Sequence, residues 1–434
     1  MEKIRLNAAG IDIGAKDLYV YVENQPVVRF DSFTEDIKAL RDYLLLHKTE
    51  TVAMEATGVY WIILYEILEE AGLDVWLVDG KETKQVPGRK TDVKDCQWIQ
   101  QLHSHGLLKR CHVVKPDAKE LRSYLRLRED HIRSAAMHVN HMQKALTEMN
   151  IRLKEVLSQI HGKSGMAIIK AILDGERDRE KLTALCHTSV LNTKKELIKK
   201  SLDGKYTQAG LFALRQAYNA YFFYQEQIKE CDQQLDKIVN VMGAGGKGIE
   251  KKPRKPIRHH KPEIKNLGQN LLHIFGGKDA TIISGITDYT WLQLVSEIGV
   301  DLTKWPTAEH FTSWLGLAPG QNKSGKGKKK PKSKGRPAAG QIFRVIAQSL
   351  INSKNIAIGA YGRRIRARKG PGVAIKAMSR KLAELYYRVM VHGMEYAELG
   401  VQKYTEQINL QKLKTITKLA EELDYKIIDN KVLS

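Results

Sequence analysis

Five residues of this chain have the types and spacing to carry out one reaction. Asp12, Glu55, Asp92 and Asp95 are carboxylates spread over three segments, and Ser324 lies in the loop Leu317-Ala318-Pro319-Gly320-Gln321-Asn322-Lys323-Ser324-Gly325-Lys326. Hard oxygen ligands drawn from separate elements are how a Mg²⁺ or Mn²⁺ site for phosphoryl transfer is built. A serine that attacks phosphorus needs its developing charge offset and its backbone free to approach the phosphate; lysines and glycines provide both. The pairing points to phosphodiester chemistry on a nucleic acid. Plainer readings stand beside it. The chain holds 49 Asp and Glu, so the four acids can be ordinary surface residues, and Asp17 and Asp79 are rival ligands. The loop can hold phosphates without reacting, and it contains a second serine, Ser333.

The acids must be positioned by strands and a helix. Asp12 sits between Ile11 and Ile13 in the first of three short alternating segments, 10–14, 18–22 and 27–30. That pattern predicts strands joined by tight turns. A carboxylate in a central strand is costly unless it is paired or bound to a cation. Glu55 ends a fourth predicted strand, 51–55, and a fifth covers 74–78. Helices are predicted from Thr34, as cap, to about His47, over 59–71, and from Thr91 to His105. Asp92 and Asp95 are three apart and share one face of the last of these. Strands first in a meander, then alternating with helices, give a mixed α/β sheet.

Downstream the period changes. Leu125, Ile132, Val139, Leu146, Leu153 and Ile160 are seven apart, with Ala135, Met142, Met149 and Val156 at partner positions, which predicts one long helix over 118–160. A second seam runs through Leu214, Tyr221, Ile228, Leu235 and Met242. Two seams with a break at 162–204 fit an antiparallel hairpin within the chain or pairing between chains. The Gly-, Pro- and Lys-rich stretch from Gly243 to Pro262 reads as a linker. The expected organisation is an α/β domain at 1–112, coiled-coil helices at 113–242, a basic flexible linker at 243–265, a mostly helical domain at 266–396 and a helical tail at 397–434.

A net charge of +22 over 434 residues attracts polyanions. The expected phosphate contacts are Lys323, Lys326, Lys328, Lys329, Lys330 and Arg336 in the serine loop, and the stripe Arg363, Arg364, Arg366, Arg368 and Lys369. For any one of them a solvated side chain is the plainer reading. No apolar run approaches the length of a membrane span. The start, Met1-Glu2-Lys3-Ile4-Arg5, lacks a signal-peptide core, and four scattered cysteines read as reduced thiols, so a cytoplasmic protein without a membrane partner is expected. Three apparent motifs mislead. Gly243-Ala244-Gly245-Gly246-Lys247-Gly248 has dinucleotide-loop spacing but no preceding strand. Gly162-Lys163-Ser164 lacks the upstream glycine of a phosphate loop, and Cys96, His103, His105, Cys111 and His112 match no common zinc spacing.

The order of these pieces resembles one family, the serine-containing DEDD transposases of bacterial insertion sequences, which are bridge-RNA-guided recombinases. The matching pieces are Gly10-Ile11-Asp12-Ile13-Gly14-Ala15-Lys16, Met54-Glu55-Ala56-Thr57-Gly58, Lys90-Thr91-Asp92-Val93-Lys94-Asp95, Phe311-Thr312-Ser313-Trp314-Leu315-Gly316-Leu317-Ala318-Pro319-Gly320, Asn322-Lys323-Ser324-Gly325-Lys326, Gly335-Arg336 and Arg366-Ala367-Arg368-Lys369-Gly370. The resemblance covers roughly 8–160 and 280–395. It implies a RuvC-like, RNase H-type N-terminal domain whose DEDD acids are Asp12, Glu55, Asp92 and Asp95, a coiled-coil segment, and a transposase domain whose serine is Ser324. It further implies that serine attacks DNA with help from Mg²⁺ or Mn²⁺ at the DEDD site. The composite site would join domains of different protomers in a dimer or tetramer, and an element-encoded noncoding RNA would pair with donor and target DNA near the bacterial nucleoid. One departure stands out: Ser284-Gly285-Ile286-Thr287 occupies a place where the family often reads Pro-Gly-Ile-Gly. Rival functions are a RuvC-like metal-dependent nuclease or junction resolvase without a covalent serine intermediate, and a non-catalytic nucleic-acid-binding protein.

Overall fold

The structure, a computed structural model, describes residues 2–83, 92–246, 250–251, 261–319, 337–393 and 400–425, without the side chains of Lys81, Glu82, Asp92 and Val401. The chain divides into two compact units, Met1–Val113 and Val114–Ser434. The first is built on β1 (Ala8–Ile13), β2 (Asp17–Val22), β3 (Val28–Asp31), α1 (Thr34–Leu46), β4 (Thr51–Glu55), α2 (Trp61–Glu70), β5 (Asp74–Val78), α3 (Gly80–Thr83) and α4 (Asp92–Ser104). The sheet order is β3-β2-β1-β4-β5. The meander β1–β2–β3 pairs antiparallel, whereas β1, β4 and β5 run parallel. The mixed α/β sheet expected from the sequence is therefore observed. One detail differs: Thr34 is the first helical residue of α1, and Phe33, with no side-chain cap, precedes it.

Side-chain alternation explains the layering. Ile11, Ile13, Val52, Met54, Val75 and Leu77 point into a core with Leu40 and Leu44 of α1 and Leu64 and Leu68 of α2. Ala53 and Val78 point to the opposite face and pack with Ile99 and Leu102 of α4. Both faces are covered, so the central strands carry nearly continuous apolar runs, as parallel strands between helices require. Near the other end of α4, His103 is fully buried, its Nε2 2.8 Å from Thr51 Oγ1. Thr51 donates its hydroxyl to the Asp74 carbonyl at 3.0 Å. The ring's Nδ1 is buried without a hydrogen-bond partner. Burial, helped by the Arg5 charge, pushes the His103 pKa down to about 4.

The second unit begins with α5 (Pro116–Glu148), followed by α6 (Leu153–Val156), α7 (Lys163–Leu173), α8 (Arg179–Ala184), α9 (Thr188–Ser201) and α10 (Gln208–Gly243). Helices α5 and α10 form an antiparallel hairpin: Arg128 meets Asp232, His138 stacks on Tyr224, and the Lys205 N–H reaches the Met149 carbonyl at 2.8 Å. The heptad seams therefore face each other within one chain. The first does not run on to Ile160 as a single helix. Asn150 adopts φ 58°, and the Ile151 and Asn150 N–H groups donate to the carbonyls of Leu146 and Thr147 at 2.8 and 2.9 Å. This two-bond left-handed cap ends α5. Leu153 and Ile160 keep their place in the apolar pattern by turning back into a core with Met142, Leu146, Ile168, Ile198 and Leu214.

The opposite end of the hairpin joins a second core. Leu121, Leu125, Leu235 and Val239 pack with residues of α11 (Leu267–Ile274), α12 (Asp288–Ile298), α13 (Ala308–Trp314), α14 (Ala338–Leu350), α15 (Ala357–Lys369) and α16 (Pro371–His392), among them Trp291, Phe311, Phe343 and Tyr386. A final helix, α17 (Gly400–Glu422), lies in the stretch expected as a helical tail. Within the stretch read as a linker, Lys251 pairs with Asp288 and Ile264 is buried. The fully buried Arg128 holds Asp232 through Nε at 2.6 Å and Tyr289 at 3.2 Å, while the Glu263 N–H donates to the other Asp232 oxygen at 3.0 Å. No helix among the described residues is long and apolar enough to cross a membrane.

Two outcomes follow. Arg128→Met leaves the Asp232 carboxylate buried without its cation and should cost about 3–5 kcal/mol, with much of the loss recovered in Arg128→Met/Asp232→Leu; denaturant unfolding of the three proteins checks this. Because the His103 pKa is lowered to about 4 from an ordinary 6.5, the unfolded chain binds more protons than the folded one between these values. The stabilisation is complete above pH 6.5 and is lost as pH falls toward 4. Thermal unfolding should drop less between pH 7 and 5 in His103→Leu than in the wild type.

Candidate functional site

The register of the parallel strands places the first two acids side by side. Ile11 of β1 lies opposite Met54 of β4, so Asp12 and Glu55 each come one residue later, at the C-terminal ends of neighbouring strands. Two residues upstream, Gly10 and Ala53 face α4. The two-residue period then sends Asp12 and Glu55 to that same face. The approach of α4 is close: a β-carbon on Gly10 would fall 2.3 Å from the Cys96 carbonyl oxygen and 2.4 Å from the Gln100 nitrogen. Only glycine permits this packing.

Helix α4 brings the other two acids. Asp92 is its first residue, and Asp95 directly precedes the Cys96 that sits over β1. The Cys96 thiol is pushed up to about 12, mainly by burial and further by the carboxylates of Asp12 and Asp95. Those two acids thus act on one buried sulfur from the strand and the helix. Glu55 is held from another side. Its Oε2 accepts the Thr83 hydroxyl at 2.9 Å, and Gly80 lies so near that a β-carbon there would meet Oε1. The Thr83 carbonyl in turn accepts the Trp98 indole N–H from α4 at 3.1 Å. One helix therefore positions Asp95 directly and Glu55 through Thr83.

Strand ends and helix start thus bring Asp12, Glu55 and Asp95 to one face of the sheet, at the C-terminal ends of β1 and β4; the Asp92 side chain lies outside the described residues. Among the described residues, no three His, Cys, Asp or Glu side chains are gathered tightly enough to hold a metal ion. The donor chemistry of the four acids, all hard oxygen, suits a divalent cation of the Mg²⁺ type. Of the rival ligands, Asp17 is taken up by Arg29, whose Nε lies 2.8 Å from it. Asp79 is exposed just beyond β5. The five-residue Cys/His grouping is not a metal site in its described arrangement: Cys96 and His103 are buried, with His103 bound to Thr51. Sequence reasoning missed Thr83 and Trp98. Neither carries a local signal, because their role rests on a contact between α3 and α4.

Ser324, with Lys323, Lys326, Lys328, Lys330 and Arg336, falls outside the described residues. The flanks of that loop are fixed, since a β-carbon on Gly340 in α14 would lie 2.2 Å from the Leu315 carbonyl oxygen that follows α13. In the basic stripe on α15, Arg364, Arg366, Arg368 and Lys369 are exposed, with Arg366 reaching Asn352 at 3.2 Å. Arg363 instead donates to the carbonyls of Ile351 and Ser353 and serves the fold. At the departure noted in the sequence, Thr287 caps α12, its hydroxyl accepting the Thr290 N–H at 3.1 Å.

A mixed sheet covered by helices on both faces, with acids at the ends of parallel strands and at the start of α4, is consistent with a DEDD nuclease-like domain. Residues 9–151 match the family profile of DEDD transposases of the IS110 type, and residues 280–362 match that of the transposase IS116/IS110/IS902 family. The chain belongs to this family of insertion-sequence transposases, enzymes that cut and move DNA. No curated protein matches it. A domain of this kind generally uses divalent metal ions.

Removing the Thr83 hydroxyl should take one hydrogen bond from Glu55 without unfolding the unit. Thr83→Val is expected to lower DNA-cleavage rates about 10- to 100-fold, with DNA affinity unchanged and stability altered by about 1 kcal/mol. Asp12→Asn should abolish cleavage and retain binding. A Thr83→Val protein with wild-type cleavage would show that Glu55 needs no such support.

Proposed function

We propose that this transposase is an RNA-guided DNA recombinase that exchanges strands through a covalent serine intermediate. The observation that carries the reading is the convergence of Asp12, Glu55 and Asp95 on one face of the sheet beside the start of α4, in a chain whose second unit bears the matched serine segment. Asp12, Glu55, Asp92 and Asp95 would hold Mg²⁺ or Mn²⁺. When bound, that cation offsets charge developing on the scissile phosphate.

The remaining work falls to the chain itself. The Ser324 Oγ attacks phosphorus and gives up its proton, a new Oγ–P bond forms, and one ester oxygen of the DNA leaves. A DNA hydroxyl later displaces serine and restores the phosphodiester. Serine is a weak nucleophile near neutral pH, so the step depends on offset charge and close approach. Lys323, Lys326, Lys328, Lys330 and Arg336 supply positive charge beside it, and Gly320 and Gly325 leave the backbone open. Arg364, Arg366 and Lys369 hold the phosphates of donor and target DNA without reading sequence. Choice of sequence falls to base pairing with an element-encoded noncoding bridge RNA. The working assembly is a homo-oligomer, a dimer or tetramer.

Stalled reactions on nicked or mismatched DNA should leave DNA attached to a peptide containing Ser324. Mass spectrometry should find the adduct in the wild type and in Ser333→Ala but not in Ser324→Ala. Recombination by Ser324→Ala at the wild-type rate would defeat the serine step and leave a water-activating nuclease. Sequencing the RNA that co-purifies with the protein tests the guide.

A further inference from the structure

Five residues after Glu55 the chain presents an exposed aromatic ring that nothing in the acid site accounts for. The turn between them is tightly built. The Ala56 N–H donates to the Val78 carbonyl at 3.0 Å, the Thr57 N–H to the Glu55 backbone carbonyl at 2.9 Å, and the Tyr60 N–H to the Thr57 backbone carbonyl at 3.3 Å. Gly58, at φ 55°, makes the turn in the left-handed region. A β-carbon there would lie 3.6 Å from Cδ2 and Cε2 of Tyr60, so the ring rests back against the turn. Tyr60 is nevertheless 50% exposed, and its neighbours Val59 and Ile63 are 69% and 49% exposed.

Water-facing apolar groups clustered beside a reactive edge mark a binding surface. A ring backed by glycine, with the rest open, is a stacking platform, and nucleobases have faces that stack on such rings regardless of sequence. The patch has no cation of its own between Glu55 and Glu66, so it would add affinity that does not depend on neutralising phosphates. We propose that Tyr60 stacks on an unpaired base of the DNA strand at the acid site and so sets the position of the scissile phosphate beside Asp12 and Glu55. Val59 and Ile63 form the apolar rim that shields the stacked base. Tyr60 is a positioning residue: it touches the DNA but takes no part in proton or phosphoryl transfer. The inference rests on the reading of the acid site as the place where the strand is cut.

The test uses the full chain in the Asp12→Asn background and single-stranded DNA labelled with 2-aminopurine. Adding Tyr60→Ala should weaken binding about ten- to a hundredfold and abolish the quenching of 2-aminopurine, while the slope of log K against log salt stays the same. Tyr60→Phe and Tyr60→Trp should restore both affinity and quenching. Unchanged affinity and quenching in Tyr60→Ala would overturn the proposal. So would a loss that Phe fails to restore, which would assign the effect to the hydroxyl, or a changed salt slope, which would assign it to phosphate contacts. If Asp12→Asn alone still cuts DNA, the acid-site reading fails, and the quenching result still reports whether Tyr60 stacks.

Discussion

At Gly10 the backbone of α4 lies so close to β1 that any side chain would collide with the Cys96 carbonyl and the Gln100 nitrogen. That contact fixes the height and rotation of α4 over the sheet. From it follows the place of Asp95 on the side of the sheet that Asp12 faces, because Cys96 is pinned directly over β1 and its neighbour is carried with it. From it also follows Glu55, held by a hydrogen bond from Thr83 whose own carbonyl is anchored by Trp98 of α4. At the far end of the helix, Gln100 reaches the Ala8 carbonyl at 3.3 Å, and the buried His103 meets Thr51. A single helix, docked along its length, thus sets the acid-bearing edge.

The second unit solves a different problem. Two helices of about 50 Å each, by their rise per residue, cannot share one compact core over their whole length. The hairpin is therefore anchored at both ends by separate apolar clusters, one built with α6–α9 and the other with α11–α16. Between them the seam is only partly buried and richer in aromatic and imidazole rings, with His131 and His138 both near Tyr224. The Arg128–Asp232 pair lies where the hairpin enters the larger cluster, and its hydrogen bonds reach Tyr289 and the Glu263 backbone. A charge pair in that place ties α5, α10, α12 and the chain before α11 to one register, because a shift of any partner strands a buried charge.

Much of this was legible in local patterns. Alternation gave the three strands of the meander, and β4 and β5 lie where the sequence placed the fourth and fifth strands. Seven-residue spacing marked the hairpin helices, because the same face meets its partner every two turns. Where the sequence reading overran, the reason is specific: the apolar period continues through Leu153 and Ile160, but Asn150 accepts a left-handed backbone and the chain turns back into the same core. A periodic pattern records which residues are buried, and cannot by itself tell a straight helix from a folded return.

The same distinction runs through the site. The residue types of Asp12, Glu55, Asp92 and Asp95, their spacing, and the density of positive charge around Ser324 are properties of the sequence, and they suffice to name a chemistry. Which carboxylates share a face was decided by strand register and by the docking of α4, both contacts between residues far apart in the chain. Asp17 shows the difference: by type and spacing it rivals the others, yet the pairing of β2 with β3 sets it beside Arg29. Thr83, Trp98 and Gly80 became visible only in the fold, since a hydrogen bond or a close approach between separate elements leaves no period and no motif. The sequence determined what each residue can do; tertiary contacts decided which residues stand close enough to act together.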